Sequence, residues 1–122
     1  MKTNPRLHHT PLLPALALAT AGLLAAAPGL AAAEANEVWT KHCASCHGKD
    51  GGGDTRMGKK LNVRSYRDPK VNAAITDDAA LKAIRSGVAE NGREVMKGFA
   101  YKISDEEAKA LVTLLRTFKA AP

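Results

Sequence analysis

Cys43, Ala44, Ser45, Cys46 and His47 set two thiols three positions apart, with an imidazole directly after the second. On a helix, positions i, i+3 and i+4 share a face, so all three reactive side chains point the same way. Each thiol can then add to one vinyl group of a haem while the imidazole reaches the iron, the chemistry of covalent c-type attachment. Other readings of the same residues are weaker. A thioredoxin-like dithiol needs a βαβ pattern, and no strand-like run surrounds the motif. Zinc wants four ligands, and His42, Cys43, Cys46 and His47 are crowded together without a second ligand pair. A disulfide across so short a gap closes a tiny loop and restrains little of the unfolded chain.

An iron held by His47 has a second axial position, and what fills it decides the chemistry. A thioether raises the reduction potential and closes the metal to small molecules, whereas an open position admits oxygen, CO or peroxide. Beyond the initiator, the candidates are Met57 and Met96. Met57 lies ten residues after His47, and extended chain of that length reaches ~33 Å, so reach does not exclude it. Context favours Met96, which stands between Val95 and Gly98-Phe99, while Met57 has Arg56, Gly58, Lys59 and Lys60 around it. Either side chain is also readable as a gap-filler in the core.

The elements that must carry these residues are helical. From about Ala35 to Cys43, Val38, Trp39 and His42 share one face, with Trp39 one turn before Cys43 and read as a core aromatic. Gly48 to Gly58 is glycine-rich and polar and reads as a loop; no G-K-[ST] ending marks it as a phosphate cradle. Leu61, Val63 and Tyr66 supply scattered apolar contacts in an irregular segment ending near Asp68-Pro69. Thr76 with Asp77 and Asp78 starts a helix whose stripe is Leu81, Ile84 and Val88, with Gly87 suited to ending it. Ser104 and Glu107 form an S-x-x-E capping box for a last helix, its apolar face made by Ala108, Leu111, Val112 and Leu115 and its C-terminal end complemented by Arg116 and Lys119.

The first part of the chain has a different character. Lys2 and Arg6, an apolar run from about Leu12 to Leu24, and Ala31-Ala32-Ala33 before Glu34 are the parts of a secretory signal peptide over residues 1–33. The uncharged run continues to Ala33, which keeps an uncleaved anchor as the alternative. Cleavage leaves one domain over residues 34–122, 89 residues with one Trp, two Tyr and two Phe. So short a chain has difficulty burying enough apolar surface alone, and a central haem would supply core. Without Lys2 and Arg6 the basic residues fall from 18 to 16 against 12 acids, a net charge of +4. That mild charge, with no basic block carrying interleaved aromatics, argues against nucleic acid as a partner.

In the order of its parts the chain resembles a class I cytochrome c of the small bacterial periplasmic type. The resemblance is carried by an aromatic four before the first cysteine, C-A-S-C-H-G, a glycine-rich loop, a middle helix ending in glycine, then M-K-G-F and S-D-E-E, and it covers essentially all of residues 34–122. It implies an all-α fold of three to four helices wrapped around one covalently bound haem c, the first and last helices crossing. It implies thioethers at Cys43 and Cys46, with His47 and Met96 on the iron. The implied role is single-electron transport between periplasmic redox proteins, by a monomer that performs no enzymatic reaction and is not inserted in the membrane once its leader is removed. Lys49, Lys59, Lys60, Lys97 and Lys102 are candidates for a basic rim that steers acidic docking faces.

Three departures are visible. Leu114 stands where relatives often carry an aromatic in the helix crossing. Lys97 replaces the proline that often follows the methionine. Met57-Gly58 falls near the place of a Gly-Pro pair whose carbonyl orients the proximal imidazole; some backbone carbonyl is still expected to fix His47. Two other functions stay open: a five-coordinate haem protein acting as a gas sensor or weak peroxidase, and a dedicated haem subunit of a dehydrogenase or oxidase complex.

Overall fold

Helix initiation follows the capping residues closely. The computed structural model describes residues 28–118, and in it Ser104 Oγ accepts from the Glu107 N–H at 3.1 Å while Glu107 Oε2 accepts from the Ser104 N–H at 2.6 Å. Both halves of the capping box are therefore made, and helix α6 runs Asp105–Thr117. Thr76 Oγ1 accepts from the Ala79 N–H at 3.2 Å and starts α5, Asp77–Ser86. Asp77 and Asp78 sit in its first turn, where the helix dipole favours negative charge.

The remaining helices are α1 (Pro28–His42), α2 (Ala44–His47), α3 (Arg56–Lys60) and α4 (Pro69–Ala74). The last two are short helices that the sequence reading leaves as loop and irregular chain. Each has a local starter: Thr55 Oγ1 accepts from the Gly58 N–H at 2.8 Å, and Asp68 Oδ1 accepts from the Lys70 N–H at 2.8 Å with Pro69 in the first turn.

A second difference lies between α5 and α6. The stripe read through Val88 stops earlier, because Gly87 turns the chain out of the helix at φ +79°. Val88 instead opens strand β1 (Val88–Glu90), which pairs antiparallel with β2 (Arg93–Met96). Asn91 and Gly92 turn the hairpin with φ of +51° and +74°, the left-handed pair that a tight two-residue hairpin demands. The register is irregular after Val88, which is partnered by Met96.

The core is where α1, α5 and α6 meet. Helix α6 packs on both α1 and α5, and its four predicted face residues, Ala108, Leu111, Val112 and Leu115, are all buried together with Ala35 and Trp39 of α1, Ala80 of α5 and Phe99. The aromatic missing at Leu114 is supplied one turn later: the Phe118 ring lies 4.9 Å from that of Trp39. Arg116 fastens the end of α6, donating to Asn72 O and Ile75 O, both at 2.5 Å, and pairing with Asp77. Arg85 makes a second pair with Asp105. The small all-α architecture expected for this chain is thus present, with a two-stranded hairpin added. Of the expected leader only residues 28–33 are described, in the first turns of α1 and exposed from Gly29 onward; residues 1–27 and Lys119 lie outside the described part. Among the described residues no helix is long and apolar enough to cross a membrane.

Candidate functional site

The motif forms a single helical turn in continuity with α1. The Cys43 N–H donates to Trp39 O at 2.8 Å, and Cys43 O accepts from the N–H groups of Cys46 and His47 at 3.1 and 2.9 Å. This is the i, i+3, i+4 arrangement that turns both thiols and the imidazole to one side. Neither cysteine is paired, and both are half-buried. Burial, reinforced by the neighbouring Cys46, pushes the Cys43 thiol up to about 11, so it is protonated at neutral pH. Among the described residues no three His, Cys, Asp or Glu side chains form a metal-holding cluster.

Backbone groups around the turn are satisfied by the loop that follows. Trp39 Nε1 donates to Gly48 O at 2.9 Å, the Gly53 N–H to His47 O at 2.8 Å, and Thr55 Oγ1 to Cys46 O at 2.9 Å. Gly58 closes this wrap. A Cβ there would collide with the carbonyls of Cys46 and Gly53, so α3 can back onto the motif only through a residue without a side chain. Asp50 steadies the loop between them by accepting from the Gly52 N–H at 3.0 Å and pairing with Arg67 at 2.6 Å.

His47 is enclosed by aromatic rings. Tyr66 stacks on it with centroids 5.3 Å apart and planes 12° from parallel, and Trp39 lies 5.7 Å away at a tilt of 48°. Burial lowers its pKa, which favours the neutral imidazole that a metal requires. Nδ1 is buried and has no protein hydrogen-bond partner among the described residues. The backbone carbonyl expected to orient this ring is therefore not found; Gly58 approaches the Cys46 carbonyl, not the imidazole. Tyr66, read from sequence as one of several scattered apolar contacts, proves to be the ring's nearest stacking partner, and nothing local to residue 66 signals that.

The two methionines differ in setting. Met57 is 44% exposed and belongs to α3, the element that backs onto Cys46. Met96 is half-buried at the end of β2, on a separate segment braced against α5. The Phe99 N–H donates to Ile84 O at 2.9 Å, and a Cβ at Gly98 would sit 2.5 Å from Arg85 O. Phe99 also meets the motif end of α1, its ring 5.9 Å from that of His42. The residues present therefore suit a haem: two free thiols, a neutral imidazole with one nitrogen enclosed, and a half-buried thioether on another element. Leu81, Ile84, Val88 and Val95 are likewise only half-buried.

The family model described as "Cytochrome C oxidase, cbb3-type, subunit III" matches residues 30–115. Among solved structures, the "KustC0563 c-type cytochrome" is 34% identical with a TM-score of 0.63, over 70% of this chain and 96% of that one. A tyrosine-to-phenylalanine mutant of the same cytochrome gives 32% identity and a TM-score of 0.61, over 70% and 99%. No curated protein matches. The chain belongs to the cytochrome c family, in the group of the cbb3-type subunit III domain. Membership carries haem c as the cofactor of the domain and points to electron transfer as its role.

Proposed function

We propose that this protein is a periplasmic single-electron carrier with one haem c, attached through thioethers at Cys43 and Cys46 and ligated axially by His47 and Met96. Bound haem supplies the one-electron iron couple; the polypeptide sets how readily that couple runs. Cys43 and Cys46 hold the macrocycle from one helical turn. His47 presents a neutral, desolvated imidazole. Met96, at the end of β2, would supply the second ligand, a thioether that favours the reduced state and denies the metal to small ligands. The observation that carries this reading is the single turn Cys43–His47, with all three side chains on one face.

Met96 is favoured over Met57 because it is half-buried on a segment other than α3, which backs onto the Cys46 carbonyl. Lys49, Lys59, Lys60, Lys97 and Lys102 are all exposed and provide a positive rim for acidic redox partners, although Lys59 is already 3.5 Å from Asp54. Removal of residues 1–33 by a signal peptidase delivers the domain to that compartment. Mass spectrometry of protein recovered from the periplasm tests the assignment: a chain beginning at Glu34 and carrying one haem supports it, and a haem-free chain beginning at Met1 refutes it. The family's description favours a second reading, a haem subunit within an oxidase complex. Co-purification with integral-membrane haem subunits supports that role, whereas recovery of the haem protein alone supports the free carrier.

A further inference from the structure

We infer that Tyr66 is a positioning residue for His47: its stacked ring sets the plane in which the imidazole meets the iron. The inference rests on His47 being the iron ligand proposed above. A ligating histidine nearly always gives its second ring nitrogen to a carbonyl, carboxylate or water, which fixes the ring's rotation. Here Nδ1 is enclosed and meets no protein partner among the described residues, and rotation about the bond to the ring is intrinsically soft. A ring packed face to face on the imidazole restrains that rotation. Tyr66 supplies such a ring, with centroids 5.3 Å apart and planes 12° from parallel, an arrangement that aromatic rings favour and that any rotation of the imidazole would break.

Tyr66 is itself held from several directions. Its N–H donates to Gly51 O at 2.8 Å, and its carbonyl accepts from Asn72 Nδ2 at 2.9 Å. Asn72 Nδ2 also reaches Leu115 O at 2.9 Å, and Arg116 donates to Asn72 Oδ1 at 3.1 Å. The ring meets Trp39 edge-on at 6.4 Å, and Trp39 is pinned in turn by Gly48 and Phe118. The last helix, α4 and the haem-motif loop thus all bear on the position of one tyrosine ring.

The test is the pattern of haem-methyl hyperfine shifts in the NMR spectrum of the oxidised protein, which depends on the angle of the axial imidazole plane. Tyr66→Phe keeps the stack and should reproduce the wild-type pattern. Tyr66→Leu removes it and should reorder or broaden the methyl lines at unchanged haem content. A Tyr66→Leu pattern identical to wild type overturns the inference, as does Tyr66→Phe departing from wild type as far as Tyr66→Leu, since the hydroxyl would then be the active group. If Tyr66→Leu does not accumulate, Asn72→Ala frees the Tyr66 carbonyl while keeping the ring; shifted methyl lines support the role and unmoved lines overturn it. Wild-type protein that takes up no haem overturns the functional reading itself, and that result appears before any variant is compared.

Discussion

A thiol and an imidazole a few residues apart respond in opposite ways to the same burial. Desolvation penalises the charged form of each, so Cys43 is held protonated and His47 neutral. Replacing Cys43 or Cys46 by Ala should remove one thioether and shift the pyridine haemochrome band toward that of a haem with a free vinyl group; an unshifted band in both variants would speak against attachment at these residues. Met96→Ala should lower the reduction potential and admit CO, while Met57→Ala should do neither, and exchanged outcomes would reassign the ligand. Asp50 gives a pH signature. The Gly52 N–H, and then Arg67, hold its carboxyl below the usual carboxylate range. Its contribution is therefore present above the unfolded pKa of about 3.9 and fades as pH falls through the lower folded value. As an exposed pair it is worth at most about 1 kcal/mol. The gap in melting temperature between wild type and Asp50→Asn should close on going from pH 7 to strongly acidic buffer, and a gap that widens would contradict this.

Helices with strong local signals were legible in the sequence; elements made by tertiary contact were not. The α6 capping box and the buried face of Ala108, Leu111, Val112 and Leu115 needed only residues a turn apart. Ser104→Ala should cost about 1 kcal/mol, a fall of roughly 4–8 °C in melting temperature for a domain of this size, and a loss well under a degree would mean that the cap is not made. Helix α3 is a single turn whose local cap, Thr55 on the Gly58 N–H, is itself held across the loop by a bond from Thr55 to Cys46 O, which no periodicity announces. The hairpin did leave a signal in Asn91-Gly92, but its strands are too short to show alternation. Gly58→Ala forces a methyl group onto two carbonyls; overpacking of this kind typically costs about 1–3 kcal/mol. Reduced thermal stability and reduced haem incorporation are expected, and an unaffected variant would show that α3 does not clamp the motif.

At the scale of the whole molecule, eight buried hydrophobic side chains among the described residues form the core, while Leu81, Ile84, Val95 and Met96 are only half-buried. Haem chemistry was readable from five contiguous residues because its geometry is set by one helical turn. The packing that orients His47 was not readable, since Tyr66, Asn72 and Arg116 come together only through the fold. If exposed lysines guide a partner, the bimolecular electron-transfer rate should fall as ionic strength rises, and a flat dependence would remove steering from the account. The optical spectrum of the purified protein, oxidised and reduced, with and without CO, tests the His47–Met96 carrier most directly. A far-red methionine–iron(III) band with no CO adduct in the native reduced form is the predicted result. Rapid CO binding without denaturant, together with the absence of that band, would contradict it.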